Sequence, residues 1–192
     1  MRLLASLAAT AILAAACGGA PAATSPTPAP ATATPAPTPT PAPTPQLKYV
    51  FNADLKTSNE VPAIADAEAS CAGKGVFTLN TTKDATGAIT AATAQFDLTI
   101  SSCPANTMIT LFHIHKAAAG ANGGVVIDSG QKATEPIALT TGATSGTVTK
   151  TQTTVKPEDA KAIIDGPSGF YFNVHSQLHG GGVIRGQLTA GS

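Results

Sequence analysis

Four histidines carry the side chains whose spacing in this sequence points to chemistry. His113 and His115 stand two residues apart, interleaved with Phe112 and Ile114. A strand repeats its side-chain direction every second residue, so Phe112 and Ile114 can face a core while both histidines share the other face. A later run repeats the pattern: Phe170, Phe172 and Val174 alternate with Tyr171, Asn173 and His175. In the last run Ile184 and Leu188 alternate with Val183, Arg185 and Gln187, which places Arg185 off the core as well. Two histidines from one strand and a third from a neighbour are enough to hold Zn or Cu with an open position. The expected ligands are His113, His115 and His175 on one outer face, with His179, in a Gly-rich loop, as a fourth. The alternative for all four is structural, as hydrogen-bonding partners of neighbours such as Asn173.

Other chemistries find less support. No serine sits in a Gly-x-Ser-x-Gly elbow. Gly73-Lys74-Gly75 lacks the frame of a phosphate-binding loop. Glu60 and Arg185 read as a structural ion pair, with an anion site as the alternative. Eleven basic residues balance eleven acidic ones, and a net charge of zero argues against nucleic-acid binding, which needs a basic excess. No enzymatic activity is assigned from these residues.

The elements that must position the histidines are strands. Tyr49, Phe51, Ala53 and Leu55 alternate with polar residues and Val50, as do Ala94, Phe96, Leu98 and Ile100 with Gln95, Asp97 and Thr99. Further strands are expected at 76–80, 108–115, 124–128, 137–140, 146–150, 169–175 and 182–188. Turn signals such as Asp84-Ala85-Thr86-Gly87, Asn122-Gly123-Gly124, Thr141-Gly142 and Gly180-Gly181-Gly182 separate them. One short helix is expected from Pro157 through Ile164, with Glu158 and Asp159 in its first turn and Gly166 ending it. Many short strands without alternating helices mean an all-β antiparallel sandwich or barrel. Only 11% of residues are charged and 4% aromatic, so one modest core of small residues is expected.

The N-terminal region reads as an address and a tether. Arg2 precedes an apolar run from Leu3 to Ala16, too short to span a bilayer, and Cys17 follows. Leu13-Ala14-Ala15-Ala16-Cys17 resembles a bacterial lipoprotein signal, which makes residues 1–16 the signal peptide and Cys17 the lipidated residue. Residues 17–46 follow as a disordered linker rich in Pro, Ala and Thr. Ten of the fifteen prolines lie between Ala20 and Pro45, and proline without an N–H supports neither helix nor sheet. Three cysteines are an odd number for an exported chain. Lipidating Cys17 leaves Cys71 and Cys103 as a pair, expected to be bridged in an oxidising compartment.

Several segments then occur in order across residues 47–192: Asn59-Glu60-Val61-Pro62, Gly75-Val76-Phe77-Thr78-Leu79, His113-Ile114-His115 with Gly123-Gly124-Val125-Val126 behind it, Phe170-Tyr171-Phe172-Asn173-Val174-His175, and Gly182-Val183-Ile184-Arg185-Gly186-Gln187-Leu188. This series resembles the CHRD domain, a module of chordin and of many bacterial exported proteins. The family usually has a proline-containing turn before its Gly-x-Ile-Arg-Gly-Gln segment; here Gln177-Leu178-His179-Gly180 stands there. A weaker resemblance, to copper–zinc superoxide dismutase, rests on His-x-His, the Gly-rich loop, the late Val-His and the closing Gly-Val-Ile. By it His113, His115 and His175 match copper ligands. No histidine lies between His115 and His175 to bridge two metals.

Together the resemblances imply an antiparallel Greek-key sandwich or barrel, immunoglobulin-like or superoxide-dismutase-like. They imply an extracytoplasmic protein with a non-catalytic binding or adhesive role toward a protein or glycan, held to the membrane at Cys17. The alternative is a Cu- or Zn-binding metalloprotein. Cys17→Ser should release the protein into the medium or leave an uncleaved precursor. A variant that fractionates and migrates like the wild type would exclude the anchor.

Overall fold

A computed structural model of the chain describes residues 46–191. The expected signal peptide, Cys17 and most of the expected linker lie outside the described residues. Among the described residues ten strands, one α-helix and two single-turn 3-10 helices, Thr57–Asn59 and Pro167–Gly169, follow one another. β1 (Gln46–Lys56) pairs along its whole length with β2 (Ala72–Lys83), which pairs with β3 (Ile89–Ser101). β4 (Thr107–Lys116), β5 (Gly124–Asp128), β6 (Ile137–Leu139) and β7 (Val148–Val155) come next. α1 (Pro157–Asp165) leads to β8 (Phe170–Ser176), β9 (Ile184–Gln187) and β10 (Thr189–Ala190).

The spatial order is β5-β4-β8-β9-β1-β2-β3-β7, and every pairing is antiparallel. β6 adds to β4 and β10 to β1. The chain therefore leaves β3 to lay down β4 elsewhere, and returns to pair β7 with β3. These crossovers are of the Greek-key kind. The two ends of the sheet approach each other, where Gln152 Nε2 on β7 donates to the Asp128 carbonyl on β5 at 3.2 Å. The result is a near-closed barrel with one short helix, the all-β class that the alternating runs imply.

Aromatic rings fill the interior. Phe77 and Phe96, from β2 and β3, meet at 5.0 Å between centroids; Phe96 reaches across to Phe172 at 5.7 Å and Phe112 at 6.0 Å. Phe112 and Phe172 stack at 5.9 Å between the paired strands β4 and β8. Leu55, Leu79, Leu98, Ile100, Ile109 and Ile114 complete the core. α1 turns Ala160 and Ile163 inward against β3. Pro157 opens it, and the Lys156 backbone caps it without a side-chain bond.

The strands are longer than their periodic runs, because hydrogen bonding carries β2 and β3 beyond the alternating stretch. The expected closing strand at 182–188 is divided. Gly182 has φ +130°, a region that disfavours residues with a Cβ, and pairing as β9 begins only at Ile184. Leu188 then turns inward, its amide bonded to the Phe170 carbonyl, before β10 starts.

Cys71 and Cys103 are bridged, across a separation of 32 residues. The bridge ties the end of the β1–β2 connection, residues 57–71, to the start of the β3–β4 loop. Replacing both cysteines by alanine should lower unfolding stability by about 2–5 kcal/mol, read by denaturant titration. Peptide mass mapping without reductant should recover the two joined; two free thiols in exported protein would contradict it.

Candidate metal centre

Strand register brings the histidines together. His113 lies opposite Asn173 and His115 opposite Tyr171 across β4 and β8, and Asn173 lies opposite Arg185 across β8 and β9. Tyr171, Asn173 and His175 thus share a face with His113, His115 and Arg185. This face is turned away from the phenylalanine core, as expected. It is not, however, an open outer face: His113 is 7% exposed, His115 8%, His175 6% and Arg185 3%. The β1–β2 connection and two glycine-rich loops, at 119–124 and 177–182, cover it.

Each loop fixes one ring. His115 Nδ1 lies 2.9 Å from the Gly123 carbonyl, and His175 Nδ1 lies 2.9 Å from the Gly180 carbonyl. A carbonyl only accepts, so both Nδ1 atoms carry the proton and both Nε2 atoms present a lone pair. The Nε2 of His115 is buried without a partner, as a ligand atom would be before it binds. The Nε2 of His175 lies 3.2 Å from His113 Nδ1. With His175 Nε2 unprotonated, His113 Nδ1 donates to it. The other nitrogen of His113 faces Asp128 Oδ1 at 3.8 Å.

One ligand nitrogen from each of the three rings lies within 4.8 Å of the others. Nitrogens about 2.0–2.1 Å from one ion sit roughly 3.3–3.6 Å apart at trigonal or tetrahedral angles. The His113–His175 separation is already close to that, and the third ring needs only a small shift. The donor set fits Cu or Zn: His113 through Nδ1, His115 and His175 through Nε2. Metal-bound histidines commonly donate their second N–H to a carbonyl or carboxylate, as these rings are placed to do.

Burial sets the electrostatics. It pushes the His113 pKa down to about 4, with neighbouring His175 adding to the effect and Asp128 opposing it. Burial also lowers His115 and His175, against their carbonyl bonds. All three are neutral imidazoles near pH 7, the form that binds metal.

His179, expected as a fourth ligand, is not brought into this group. Its Nδ1 lies 2.7 Å from Glu68 Oε2 and its Nε2 3.0 Å from Asp66 Oδ2. With both nitrogens on carboxylates, it has no lone pair for an ion. Sequence reasoning missed Asp66, Glu68 and Asp128, because isolated acids in loops or at a strand end look like solvated surface.

Glu60 and Arg185 form the expected pair. Arg185 Nε lies 3.3 Å from Glu60 Oε2 and donates to the Asn59 carbonyl at 2.7 Å. Nη1 donates to the Ala121 carbonyl at 3.1 Å, and the guanidinium lies over the Tyr171 ring at 4.8 Å. That ring stacks on His115 at 4.9 Å, and its hydroxyl accepts from the Gly123 amide at 3.2 Å. Nε and Nη1 of Arg185 are thus spent on the chain's own groups, while Nη2 and Glu60 Oε1 are buried without a partner. The structural pair is present, and Nη2 is left as a donor that the anion-site alternative would use. Burial pushes Glu60 up to about 7, more than Arg185 and His179 draw it down.

An antiparallel barrel with a covered face of converging imidazoles defines a β-sheet module with a candidate mononuclear metal centre. The CHRD domain profile matches residues 51–188, and the chain belongs to the CHRD domain family. No curated protein and no solved structure matches the chain.

The pKa shifts make a prediction about the metal-free domain. His113, His115 and His175 bind protons more weakly folded than unfolded, so their contribution is present above 6.5 and is lost as pH falls through their lowered values, about 4 for His113. Glu60 is shifted up, so its contribution is present below 4.5 and is lost as pH rises through about 7. Three groups oppose one below neutrality, and unfolding stability should peak near about pH 6.5. Urea titrations across pH 4–8.5 read this directly; a flat profile would contradict the burial argument. Above the peak His179, whose pKa is raised from 6.5, falls together with the tail of Glu60, so Glu60→Gln should reduce that fall without removing it.

Proposed function

We propose that this chain is a lipid-anchored, extracytoplasmic CHRD protein whose binding role is to hold one Cu or Zn ion at His113, His115 and His175. The anchor is Cys17, and the Pro/Ala/Thr-rich linker holds the domain away from the membrane. The role is binding without turnover. The observation that carries the metal reading is the convergence of three neutral imidazoles, two of them with Nδ1 locked to a loop carbonyl so that Nε2 keeps its lone pair. Copper is the preferred ion, since imidazole ligands follow the Irving–Williams order and bind Cu(II) most tightly.

Asp128 supports this reading. In the metal-free form the His113 proton is on Nδ1. Coordination through Nδ1 requires it to leave or to move to Nε2, which faces the Asp128 carboxylate. Asp128 thus favours the metal-binding tautomer from outside the ligand set.

Untagged protein should retain or take up one equivalent of Cu(II), with His113→Ala abolishing the stoichiometric site. Asp128→Asn should weaken it about tenfold. Bound ion should be released as pH falls below 6.5 and the ligands become protonated, His113 at about 4. Excess copper at about 100 times Kd should raise unfolding stability by about 2.7 kcal/mol. A wild-type protein that binds no more metal than the variant lacking all three histidines would overturn the reading.

A further inference from the structure

The β8–β9 loop carries the carbonyl that orients His175, yet little packing holds that loop. A Cβ added at Gly180 or Gly181 would meet nothing within 4 Å. What fastens the loop is His179. Its ring bridges Glu68 Oε2 at 2.7 Å and Asp66 Oδ2 at 3.0 Å. Its amide donates to Ser176 Oγ at 2.9 Å, and that hydroxyl donates to the same Glu68 oxygen at 2.5 Å. The two acids come from the β1–β2 connection, whose end is held covalently through Cys71. Glu60, from the same connection, lines with His179, Gly181 and Gly182 a cleft of about 290 Å³. The next carbonyl in the chain after His179 is that of Gly180, the partner of His175 Nδ1 at 2.9 Å.

A carboxylate oxygen only accepts. Both nitrogens of His179 can donate only when the ring is protonated, and a neutral ring must leave one carboxylate unpaired.

We propose that His179 is a positioning residue for the metal centre: its imidazolium, clamped between Asp66 and Glu68, sets the Gly180 carbonyl that holds His175 in its metal-binding tautomer. This rests on the three-histidine metal reading. It makes metal affinity depend on a proton held outside the ligand set, with the opposite sign to the protons that compete at the ligands. Burial alone would lower the His179 pKa, but the bond to Glu68 and the charges of Asp66 and Glu68 outweigh it and raise it. The clamp is therefore complete below about pH 6.5 and is lost as pH rises through the raised value. The ligand histidines are by then neutral and no longer vary.

The test is the pH profile of Cu(II) affinity, by chelator competition from pH 5.5 to 8.5, in a Glu60→Gln background because Glu60 titrates nearby. Affinity should fall by about tenfold across the upper limb. His179→Gln should be weaker at low pH and lose that limb. His179→Lys, a cation throughout this range, should keep most of the affinity and also lose the limb. Asp66→Asn, at an exposed position, gives a second variant should His179 changes impair folding, and should shift the limb to lower pH. Profiles of His179→Gln and Asp66→Asn that superimpose on that of the parent would overturn the proposal. A readout free of metal separates this outcome from failure of the metal site. Nitrogen-15 shifts of the metal-free protein should show His175 held with the proton on Nδ1, loosening as His179 titrates. If His175 is indifferent to His179 there, the positioning role is wrong whether or not metal binds.

Discussion

A buried guanidinium holds the polar half of this domain together. Arg185 joins the β1–β2 connection, through Asn59 and Glu60, to the 119–124 loop, through Ala121, while its plane rests on Tyr171. Taking such a charge out of water costs several kcal/mol unless its hydrogen bonds are replaced. Two backbone carbonyls accept from it and the Glu60 carboxylate pairs with Nε, while Nη2 stays buried without a partner. The Asn59 side chain also donates back to the Arg185 carbonyl at 2.9 Å, so the contact fixes both chains. Without it, the connection and the loop would share only the bond from the Asn122 side-chain amide to the Val61 carbonyl at 2.9 Å, and the histidines beneath would be more open to water.

The cover matters because solvent access decides what the histidines are. On an exposed strand face they would titrate near 6.5 and spend part of the physiological range as cations. Beneath the cover, desolvation keeps them neutral, and His115 Nε2 is left as a buried lone pair without a partner beside the bonded His113 and His175 rings. The same desolvation raises Glu60, so burial works against the charged form of the carboxylate that anchors the cover. The barrel core takes no part in this. It supplies strand register, and register alone places His113 beside Asn173 and Asn173 beside Arg185.

The sequence makes the strands legible for a simple reason. One side of each strand faces the phenylalanine interior, and runs such as Phe96, Leu98 and Ile100 record that side as a period of two. The same period puts His113, His115 and His175 on one face. Their convergence further needs β4 and β8 to be neighbours, and those strands are far apart in the chain, so periodicity holds no trace of the pairing. The family likeness supplied the order of segments, not the distances. The cover was illegible altogether. Residues 57–71 show no period, and Asp66 and Glu68 read as surface acids because the cation they meet lies 113 and 111 residues away. His179 read as a ligand on a mobile loop for the same reason: nothing local to Gly180-Gly181-Gly182 shows that two distant carboxylates hold it.

Glycine placement supports the view that this cover is built rather than incidental. A Cβ at Gly123 would fall 2.0 Å from the Lys116 carbonyl oxygen, so only glycine lets the 119–124 loop fold tightly enough to offer its carbonyl to His115. A Cβ at Gly182 would meet the Asn173 side chain at 2.7 Å and Glu60 Oε1 at 2.8 Å, in a backbone conformation that residues with a Cβ rarely adopt. The two loops that orient His115 and His175 therefore each depend on a glycine at the point of closest approach. A larger residue at either would lift the loop, move the carbonyl from its imidazole and admit water to the face. Loss of metal binding with the phenylalanine core intact is the form that such damage takes, since neither glycine touches the interior of the barrel.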